Sequence, residues 1–469
     1  MEFLDRKEEM ARLQKALNKK EPSFVVVYGR RRLGKSTLIQ KILGADDVFF
    51  MADKSDQTQQ RRLFAMALSS KFDNFDKLPF TDWDSLFTEL CYRAKGENMF
   101  TVCLDEFPYL VKSCPELPSI LQRFIDMRRF PFHLIICGSS QHLMQDIVLN
   151  PSEPLYGRAG TIIKLRPLHI RFLQQAFKEE PADEIVDEYA AWGGVPRYWV
   201  LREENGNMVD AVMSQIANTE GTLFDEPDRL LADDLSTTVI ASSILSLIGN
   251  GANRVSEIAS RLGRKATDIS VPLNRLVKLG YIEREIPFGE SPRSTKKSLY
   301  KISDEFLSFY YRFIVPERSM IGLNRYNVVR NYITSNYPDF AGKEWERLCR
   351  HAVSGNTVFG ITWDVASRWW GTVAKDKQIE LDLVAESIDK KSLLIGECKW
   401  TKEEHAESLL DDLKARSKDF AYTKGHTVYY ALFLRHEPVD GKKPYVILPE
   451  NIVDDFDSSG LYISDAFRK

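Results

Sequence analysis

The feature that most constrains the fold is the stretch FVVVYGRRRLGKSTLIQ, from Phe24 to Gln40. A short apolar, β-branched run ends at Gly29, and a helical pattern opens at Gly34, which fits the spacing G-x-x-x-x-G-K-[ST]. Backbone N–H groups in such a loop cradle phosphates at the start of a helix. The motif therefore predicts ATP contacts from Gly29, Arg30, Arg31, Arg32, Leu33, Gly34, Lys35, Ser36 and Thr37.

Each part of this loop has a chemical role in that interpretation. Gly29 and Gly34 provide the tight bend, Lys35 meets the β- and γ-phosphates, and the Ser36 hydroxyl ligates Mg²⁺. The alternative is a chance glycine-rich turn between a strand and a helix. Because a strand-like run precedes the loop and an amphipathic helix follows it, the motif has the context it requires. ATP and Mg²⁺ are the predicted cofactors.

Composition narrows the class of protein. A chain of 469 residues is too long for one core, and its length suggests about three domains. The net charge of -3 means that any contact with nucleic acid requires a local basic patch. The cysteines show no paired spacing, which is typical of reduced thiols, and no apolar run approaches ~18 residues. We therefore expect a cytoplasmic protein with no membrane partner.

Alternating apolar strands and helices over residues 1–167 predict an α/β core with a parallel sheet. The apolar run from Met99 to Leu104 suits a buried strand, and it ends in Asp105 and Glu106. The carboxyl ends of parallel strands meet beside a phosphate loop. Asp105 is therefore expected to hold the Mg²⁺ shell and Glu106 to polarise the attacking water as general base. The alternative is a strand that ends in solvent-facing acids.

Further polar positions follow in the same region. Ser139 ends the next strand-like run, and it either hydrogen-bonds the γ-phosphate or only forms a turn. Arg158 is either an arginine finger for the γ-phosphate or a surface arginine. Residues 168–235 are helical in pattern, with one rigid glycine and proline turn at residues 192–198. We expect them to form a helical lid and linker that respond to the nucleotide.

Several motifs along this half of the chain resemble the prokaryotic family often called archaeal ATPases, within the AAA+-like STAND group of P-loop proteins. They are FLDRKEEM, GRRRLGKS, CLDEFPYL, CGSSQHLM, PLYGRAG, WGGVPRYW and LFDEPDRLL, in that order. In that family the first motif and the GGVP turn lie near the adenine. The resemblance therefore implies that Arg6 and Pro196 contact ATP, and it favours the nucleotide roles of Ser139 and Arg158.

Residues 236–320 have the pattern of a winged helix-turn-helix. Three short helical patterns end at glycines or Asn-Gly, and two strand-like runs follow them. Between Arg254 and Lys301, eleven basic and five acidic residues give a charge of +6, since 11 − 5 = 6. This patch predicts DNA as a partner through contacts of Lys and Arg with phosphates: Lys265, Arg275, Lys278, Arg293, Lys296 and Lys297. The alternative is a winged helix used only for packing.

Residues 321–469 return to an α/β pattern with a candidate metal site. Two neighbouring strand-like runs carry Asp382 and the pair Glu397 and Lys399, and an antiparallel hairpin would bring them together. Two carboxylates and the backbone carbonyl of Cys398 form an oxygen cage suited to Mg²⁺, and Glu346 can complete it. In that interpretation Asp382, Glu397 and Lys399 are catalytic. The alternative is an edge strand with alternating charges.

This last segment resembles the PD-(D/E)xK restriction-endonuclease-like fold. The resemblance lies in Glu346, Asp382 and the stretch GECKW, although Leu381 stands where the motif has proline. Together, the sequence predicts an ATP-hydrolysing protein whose nucleotide-driven changes act on DNA, with Mg²⁺-dependent phosphodiester cleavage by its last domain. The alternatives are a nucleotide-switch regulator that binds DNA or protein without cleavage, and a helper ATPase of a mobile element. Oligomeric state stays open, a homo-oligomer included.

Overall fold

The computed structural model describes residues 4–235, 237–293, 295, 297–374 and 377–453. Lys296, one of the predicted DNA contacts, lies outside the described residues. In the part of the chain that is described, no helix is both long and apolar enough to cross a membrane.

A five-stranded parallel sheet forms the centre of the first unit. Its strands are β1 Phe24–Tyr28, β2 Val48–Met51, β3 Thr101–Asp105, β4 His133–Gly138 and β5 Thr161–Lys164, in the order β2-β3-β4-β1-β5. Strands β1, β3 and β4 are buried along their whole length, which explains their continuous apolar runs. The predicted parallel α/β sheet is confirmed.

Helices cover both faces of this sheet. They are α1 Lys7–Leu17, α2 Lys35–Gln40, α3 Gln57–Leu68, α4 Trp83–Arg93, α5 Phe107–Ser113, α6 Leu117–Asp126 and α7 Gln141–Leu149, with a 3-10 turn at Phe75–Lys77. Asp56, Asp82 and Ser140 begin α3, α4 and α7 as N-caps whose side chains accept backbone N–H groups. Helix α5 begins directly after β3, so Asp105 and Glu106 lie at the junction between this strand and this helix.

Five lid helices follow: α8 Ile170–Ala176, α9 Ala182–Trp192, α10 Pro196–Glu203, α11 Met208–Gln215 and α12 Glu226–Asp234. The turn between α9 and α10 contains Gly193 and Gly194, as the sequence predicted. A Cβ on Gly194 would lie 2.1 Å from the carbonyl oxygen of Leu168, and the Gly194 carbonyl accepts the Leu168 N–H at 2.7 Å. Only glycine allows this approach, which fixes the turn beside the ATPase core.

A three-helix and hairpin unit comes next. It consists of α13 Val239–Gly249, α14 Val255–Arg261, α15 Ala266–Leu279 and the antiparallel strands β6 Ile282–Glu285 and β7 Leu299–Ile302. Helix α15 ends at Gly280 in the left-handed conformation, with φ of 78°. Helices α16 Glu305–Phe309 and α17 Val315–Gly322 flank a π-helical turn at Tyr310–Ile314. The aromatic side chains of this turn are core residues.

The C-terminal α/β unit begins with the long helix α18 Tyr326–Val353. Its strands are β8 Thr357–Val358, β9 Ile361–Thr362, β10 Ser367–Ala374, β11 Lys377–Glu386, β12 Ser392–Lys399, β13 Thr427–Leu434 and β14 Val446–Ile447, and its other helices are α19 Ala406–Ser417, the 3-10 turn Ala421–Thr423 and α20 Pro449–Val453. The main sheet has the order β10-β11-β12-β13-β14, antiparallel at the first two pairings and parallel at the last two.

These units share one continuous hydrophobic core. A single cluster of buried side chains runs from Val25 in β1 through Trp192 in the lid helices and Leu276 in α15 to Trp345 in α18 and Phe433 in β13. Because burial of apolar surface is the main stabilising term in folding, the units stabilise one another through this cluster.

Candidate functional site

The phosphate loop has the geometry that its sequence predicted. Gly34 is left-handed with φ of 85°, and a Cβ on Gly29 would lie 2.6 Å from the Leu165 carbonyl oxygen. Lys35 is buried at the start of α2, and its Nζ donates to the Arg30 carbonyl oxygen at 3.1 Å. The ammonium group thus lies inside the loop, where the phosphate oxygens of a nucleotide would contact it.

The ends of β3 and β4 bring the predicted acids and sensor to this loop. The Ser36 hydroxyl donates to Asp105 Oδ2 at 2.6 Å, and Asp105 is buried. Ser139 donates to Glu106 Oε2 through its hydroxyl at 2.9 Å and its N–H at 3.2 Å. These hydroxyl and carboxylate oxygens fit the ligands that a nucleotide-bound Mg²⁺ takes.

A cleft of about 630 Å³ opens beside these groups. It is lined by the loop residues, by Glu106 and Ser139, and by Arg6, Leu168, Pro196 and Arg197. Arg6 is buried, and its guanidinium donates to the carbonyl oxygens of Arg166 at 2.7 Å and Leu33 at 3.4 Å. The cleft is therefore bounded by the phosphate loop on one side and by the glycine and proline turn of the lid on the other.

The three arginines of the loop have acidic partners. Arg30 donates to Asp304 at 2.5 Å and to the Tyr198 hydroxyl at 3.3 Å. Burial opposes its charge, but Asp304 and Tyr198 outweigh burial and raise the pKa of Arg30. Arg31 and Arg32 pair with Glu226 at 3.7 and 3.2 Å. The Arg30 side chain is thus committed to Asp304 and Tyr198, whereas Arg31 and Arg32 also line the cleft, and their contacts with ATP stay a prediction.

Arg158 differs from its prediction. Its Nε and Nη2 donate to both carboxylate oxygens of Asp126 at 2.8 Å, and it lines a separate cavity beside Phe24 and Leu134. Phe24 begins β1, whereas the phosphate loop follows the end of β1, so the two sites lie at opposite ends of a parallel sheet. The prediction of an arginine finger acting within one chain is wrong. Action on a second chain stays a prediction.

Arg197 and Lys41 also line the cleft, although neither is among the predicted ATP contacts. Arg197 follows Pro196 in the motif WGGVPRYW, so its place beside the lid turn was available as a signal. It lies exposed in the first turn of α10. A cation at a helix N-terminus is electrostatically unfavourable, and an anion in the cleft would compensate it.

The C-terminal unit brings together the residues of the second predicted site. Strands β11 and β12 pair with Leu383 opposite Gly396, and Asp382 Oδ2 accepts the Cys398 N–H at 3.0 Å. Glu397 is buried, and its Oε1 pairs with Lys399 Nζ at 2.9 Å. Burial, followed by the charges of Glu346 and Glu397, raises the pKa of Asp382 to about 6. The predicted hairpin and its register are confirmed.

The carboxylates of this second site are nevertheless held by cations. Arg350 pairs with Glu346 at 3.5 Å and donates to the Asp382 carbonyl oxygen at 2.8 Å, while Arg416 contacts Glu397. Among the described residues, no group of three His, Cys, Asp or Glu side chains is arranged to hold a metal ion. The predicted cage of Glu346, Asp382, Glu397 and the Cys398 carbonyl is therefore not assembled in this arrangement, because arginine side chains neutralise its outer members.

The predicted DNA contacts fall into two groups. Lys265 and Lys278 are exposed at the two ends of α15, and Arg275 is half-buried between them. In the hairpin loop Arg293 is exposed, whereas Lys297 pairs with Glu290 at 2.7 Å. The same loop packs on the C-terminal unit, because the Phe288 N–H donates to the Arg368 carbonyl oxygen and its ring contacts Tyr422. The loop is therefore partly committed to packing on the C-terminal unit.

The strand order, the phosphate loop and the acidic pair at the end of β3 define a P-loop ATPase. Residues 3–201 match the family described as "ATPase domain predominantly from Archaea", and residues 310–409 match "Archaea bacterial proteins of unknown function". The first part of the chain is thus similar to that family of ATPase domains, in agreement with the resemblance in its motifs. The description of the second family names no nuclease.

Full-length similarity extends to an uncharacterised protein of Methanocaldococcus jannaschii, which is 29% identical over 438 residues, 92% of this chain and 95% of that protein. Among solved structures, a Walker-type ATPase of Pyrococcus abyssi has a TM-score of 0.50 and 22% identity, covering 66% of this chain and 96% of its own. The ORC2 protein of Aeropyrum pernix has a TM-score of 0.46 and 13% identity, covering 69% and 96%. At these identities the match to the Pyrococcus ATPase supports the fold alone.

Proposed function

We propose that this ATPase uses nucleotide-driven conformational change to act on DNA, and that its C-terminal unit cleaves phosphodiester bonds with Mg²⁺. The observation that carries the proposal is the register of β11 and β12, which sets Asp382 beside Glu397 and Lys399. Burial and the charges of Glu346 and Glu397 raise the pKa of Asp382, and a divalent cation would relieve that repulsion.

The donors are of the chemical type that suits such a cation, although arginine side chains pair with Glu346 and Glu397 in this arrangement. Glu346, Asp382, Glu397 and the Cys398 carbonyl offer the oxygen ligands that Mg²⁺ prefers. When bound, the metal would supply Lewis-acid activation of a water and neutralise phosphate charge. Lys399 would orient the attacking water or stabilise the developing charge, because its ammonium lies beside Glu397.

We assign DNA binding to the three-helix and hairpin unit, which has the order of elements of a winged helix. Helix α15 buries Ile269, Leu273 and Leu276, whereas Lys265 at its N-cap and Lys278 in its last turn are exposed. Cations at both ends of a helix can neutralise phosphates of the DNA backbone. The expected DNA affinity therefore falls with rising salt concentration.

Direct contacts connect the ATP site to this DNA-binding unit. Arg30 of the phosphate loop pairs with Asp304, directly after β7. Next to Ser139, Gln141 Nε2 donates to the Leu279 carbonyl oxygen at 3.2 Å at the end of α15. The phosphate loop and the start of α7 thus contact the hairpin end and the end of α15. A change in nucleotide state would therefore reposition this part of the chain.

The experiment that tests the nuclease role is nicking of supercoiled plasmid in Mg²⁺ or Mn²⁺ with ATP. Glu397→Ala should abolish nicking, because it removes the buried carboxylate. Glu403→Ala is the matched control, since this exposed glutamate lies outside the site and should leave nicking unchanged. Intact plasmid with the wild-type protein, or nicking that persists in Glu397→Ala, would refute the assignment.

A second candidate is a nucleotide switch that binds DNA or protein without cutting. The observation that favours it is the pairing of both Glu397 oxygens, one with Lys399 and one with Arg416. This candidate predicts DNA affinity that changes between ATP and ADP, with no strand breaks in Mg²⁺ or Mn²⁺. A fluorescence-anisotropy titration beside the nicking assay separates the two candidates.

A further inference from the structure

Arg416 contacts the second site from a helix that the sequence motif does not include. It lies in the last turn of α19, and its Nη2 contacts Glu397 Oε2, while Lys399 occupies Oε1. Glu397 is only 5% exposed, so both partners neutralise a carboxylate that is removed from water. A buried carboxylate requires such compensation, which makes the contact more than a surface ion pair.

The anchoring of α19 does not depend on Arg416. The helix packs through Ala406, Leu410 and Leu413, and the N–H groups of Ala406 and Glu407 donate to the Asp440 carboxylate. The Arg416 side chain is about one-third exposed, and its buried Nε has no hydrogen-bond partner among the described residues. Its guanidinium thus carries donors that remain available for another acceptor beside Glu397.

The other arginine at this site is different. Arg350 is 5% exposed and connects Glu346, Glu285 and the Asp382 carbonyl oxygen at 3.5, 3.6 and 2.8 Å. Its contacts extend from β6 to β11, so it holds two units together. Arg416 reaches a single residue of the site and is free to exchange that residue for another anion.

We propose that Arg416 is a catalytic residue of the C-terminal site: it pairs with Glu397 until a divalent cation takes that carboxylate, and it then binds a non-bridging oxygen of the scissile phosphate. This inference rests on the proposed nuclease function. The planar guanidinium suits both acceptors, because its paired donors match carboxylate and phosphate oxygens. The exchange keeps the charge of each group compensated in both states.

The test measures Mn²⁺ binding by electron paramagnetic resonance, together with plasmid nicking at saturating Mn²⁺, on the full chain. Arg416→Gln should bind Mn²⁺ about tenfold more tightly than wild type, since one charge-assisted competitor for Glu397 is removed. Its nicking rate should fall by about tenfold or more, since the phosphate contact is lost. Lys418→Gln removes one exposed charge beside the same helix and should change both quantities by less than about threefold.

Arg416→Lys keeps the charge without the planar fork, and it should bind Mn²⁺ close to wild type yet nick more slowly. Circular dichroism melts check that each variant is folded. Wild-type or weaker Mn²⁺ affinity in Arg416→Gln, or an unchanged nicking rate, would overturn this inference while leaving the nuclease proposal intact. If wild type binds no more Mn²⁺ than Glu397→Ala, both the nuclease proposal and this inference fail.

Discussion

Trp400 donates its indole N–H to the Asp187 carboxylate across 2.9 Å, which joins the C-terminal site to the lid helices. Trp400 directly follows Lys399, and Asp187 lies in α9, whose end leads to Gly193, Gly194 and the ATP cleft. Arg435 strengthens the contact, because it donates to Asp187 at 2.9 Å and lies 4.9 Å from the Trp400 ring. These contacts therefore join helix α9 to the strand that carries Glu397 and Lys399.

Trp400→Phe tests that connection with little loss of packing. The ring would still stack near Trp345, but Asp187 would lose one donor, at a cost of about 1–2 kcal/mol in the free energy of unfolding. ATP turnover should stay at the wild-type rate, while the difference in hydrogen exchange of β12 between ATP and ADP should shrink. Trp370→Phe is the control, because the Trp370 indole N–H has no partner in the described part of the chain. Equal exchange behaviour in both variants would exclude the connection.

Asp304→Asn isolates the buried ion pair with Arg30. Asparagine still caps α16 through the Leu307 N–H, but it leaves the Arg30 guanidinium without its anion. Urea unfolding should show a loss of about 3 kcal/mol. ATP binding should weaken as well, because the Arg30 carbonyl holds Lys35. Glu89→Gln breaks the half-exposed pair with Arg93 and should cost less than about 0.5 kcal/mol. Similar losses in the two variants would contradict the role given to Arg30.

Gly194→Ala tests the close approach of the lid turn to the ATPase core. The new methyl group would collide with the Leu168 backbone, so we expect a loss of about 1–3 kcal/mol in stability and about tenfold weaker ATP binding. Isothermal titration with ATP and thermal melts measure the two effects. Gly322→Ala, where a Cβ has open space, should be neutral or slightly stabilising. Unchanged ATP affinity in Gly194→Ala would show that the turn does not contribute to nucleotide binding.

Asp382 gives the stability a specific pH dependence in EDTA. Burial raises its pKa in the folded chain to about 6 from the ordinary value of 3.8, so the folded state binds the proton more tightly than the unfolded chain. Stability from this group is therefore present below pH 3.8 and is lost as pH rises through about 6. Asp382→Asn should be more stable than wild type by about 1–3 kcal/mol at pH 8 and equal to it near pH 4. A difference that is independent of pH would contradict this sign.

Local patterns predicted the parts of the molecule that depend on local spacing. The phosphate loop, the pair Asp105 and Glu106, and the register of Asp382 with Glu397 all follow from strand periodicity and helix starts. The position of Arg158 could have been predicted, because this residue precedes β5 and therefore lies at the amino end of the parallel sheet. The phosphate loop lies at the carboxyl end of that sheet.

The partners of the charged side chains could not be predicted from the sequence. Arg30 meets Asp304 across 274 positions of the chain, and Trp400 meets Asp187 across 213. Such pairs depend on how the units pack, since neither residue has a local pattern that indicates its partner. The same holds for Arg416, whose place beside Glu397 follows from the packing of α19 on the sheet.

The central claim is that the ATP site controls a cleaving site on DNA. Its most direct test is the plasmid nicking rate in Mg²⁺ with and without ATP, compared between wild type and Lys35→Ala. We predict that ATP changes the wild-type rate by about tenfold or more, whereas Lys35→Ala nicks at one rate regardless of ATP. An absence of nicking, or a wild-type rate that ATP leaves unchanged, would contradict the account.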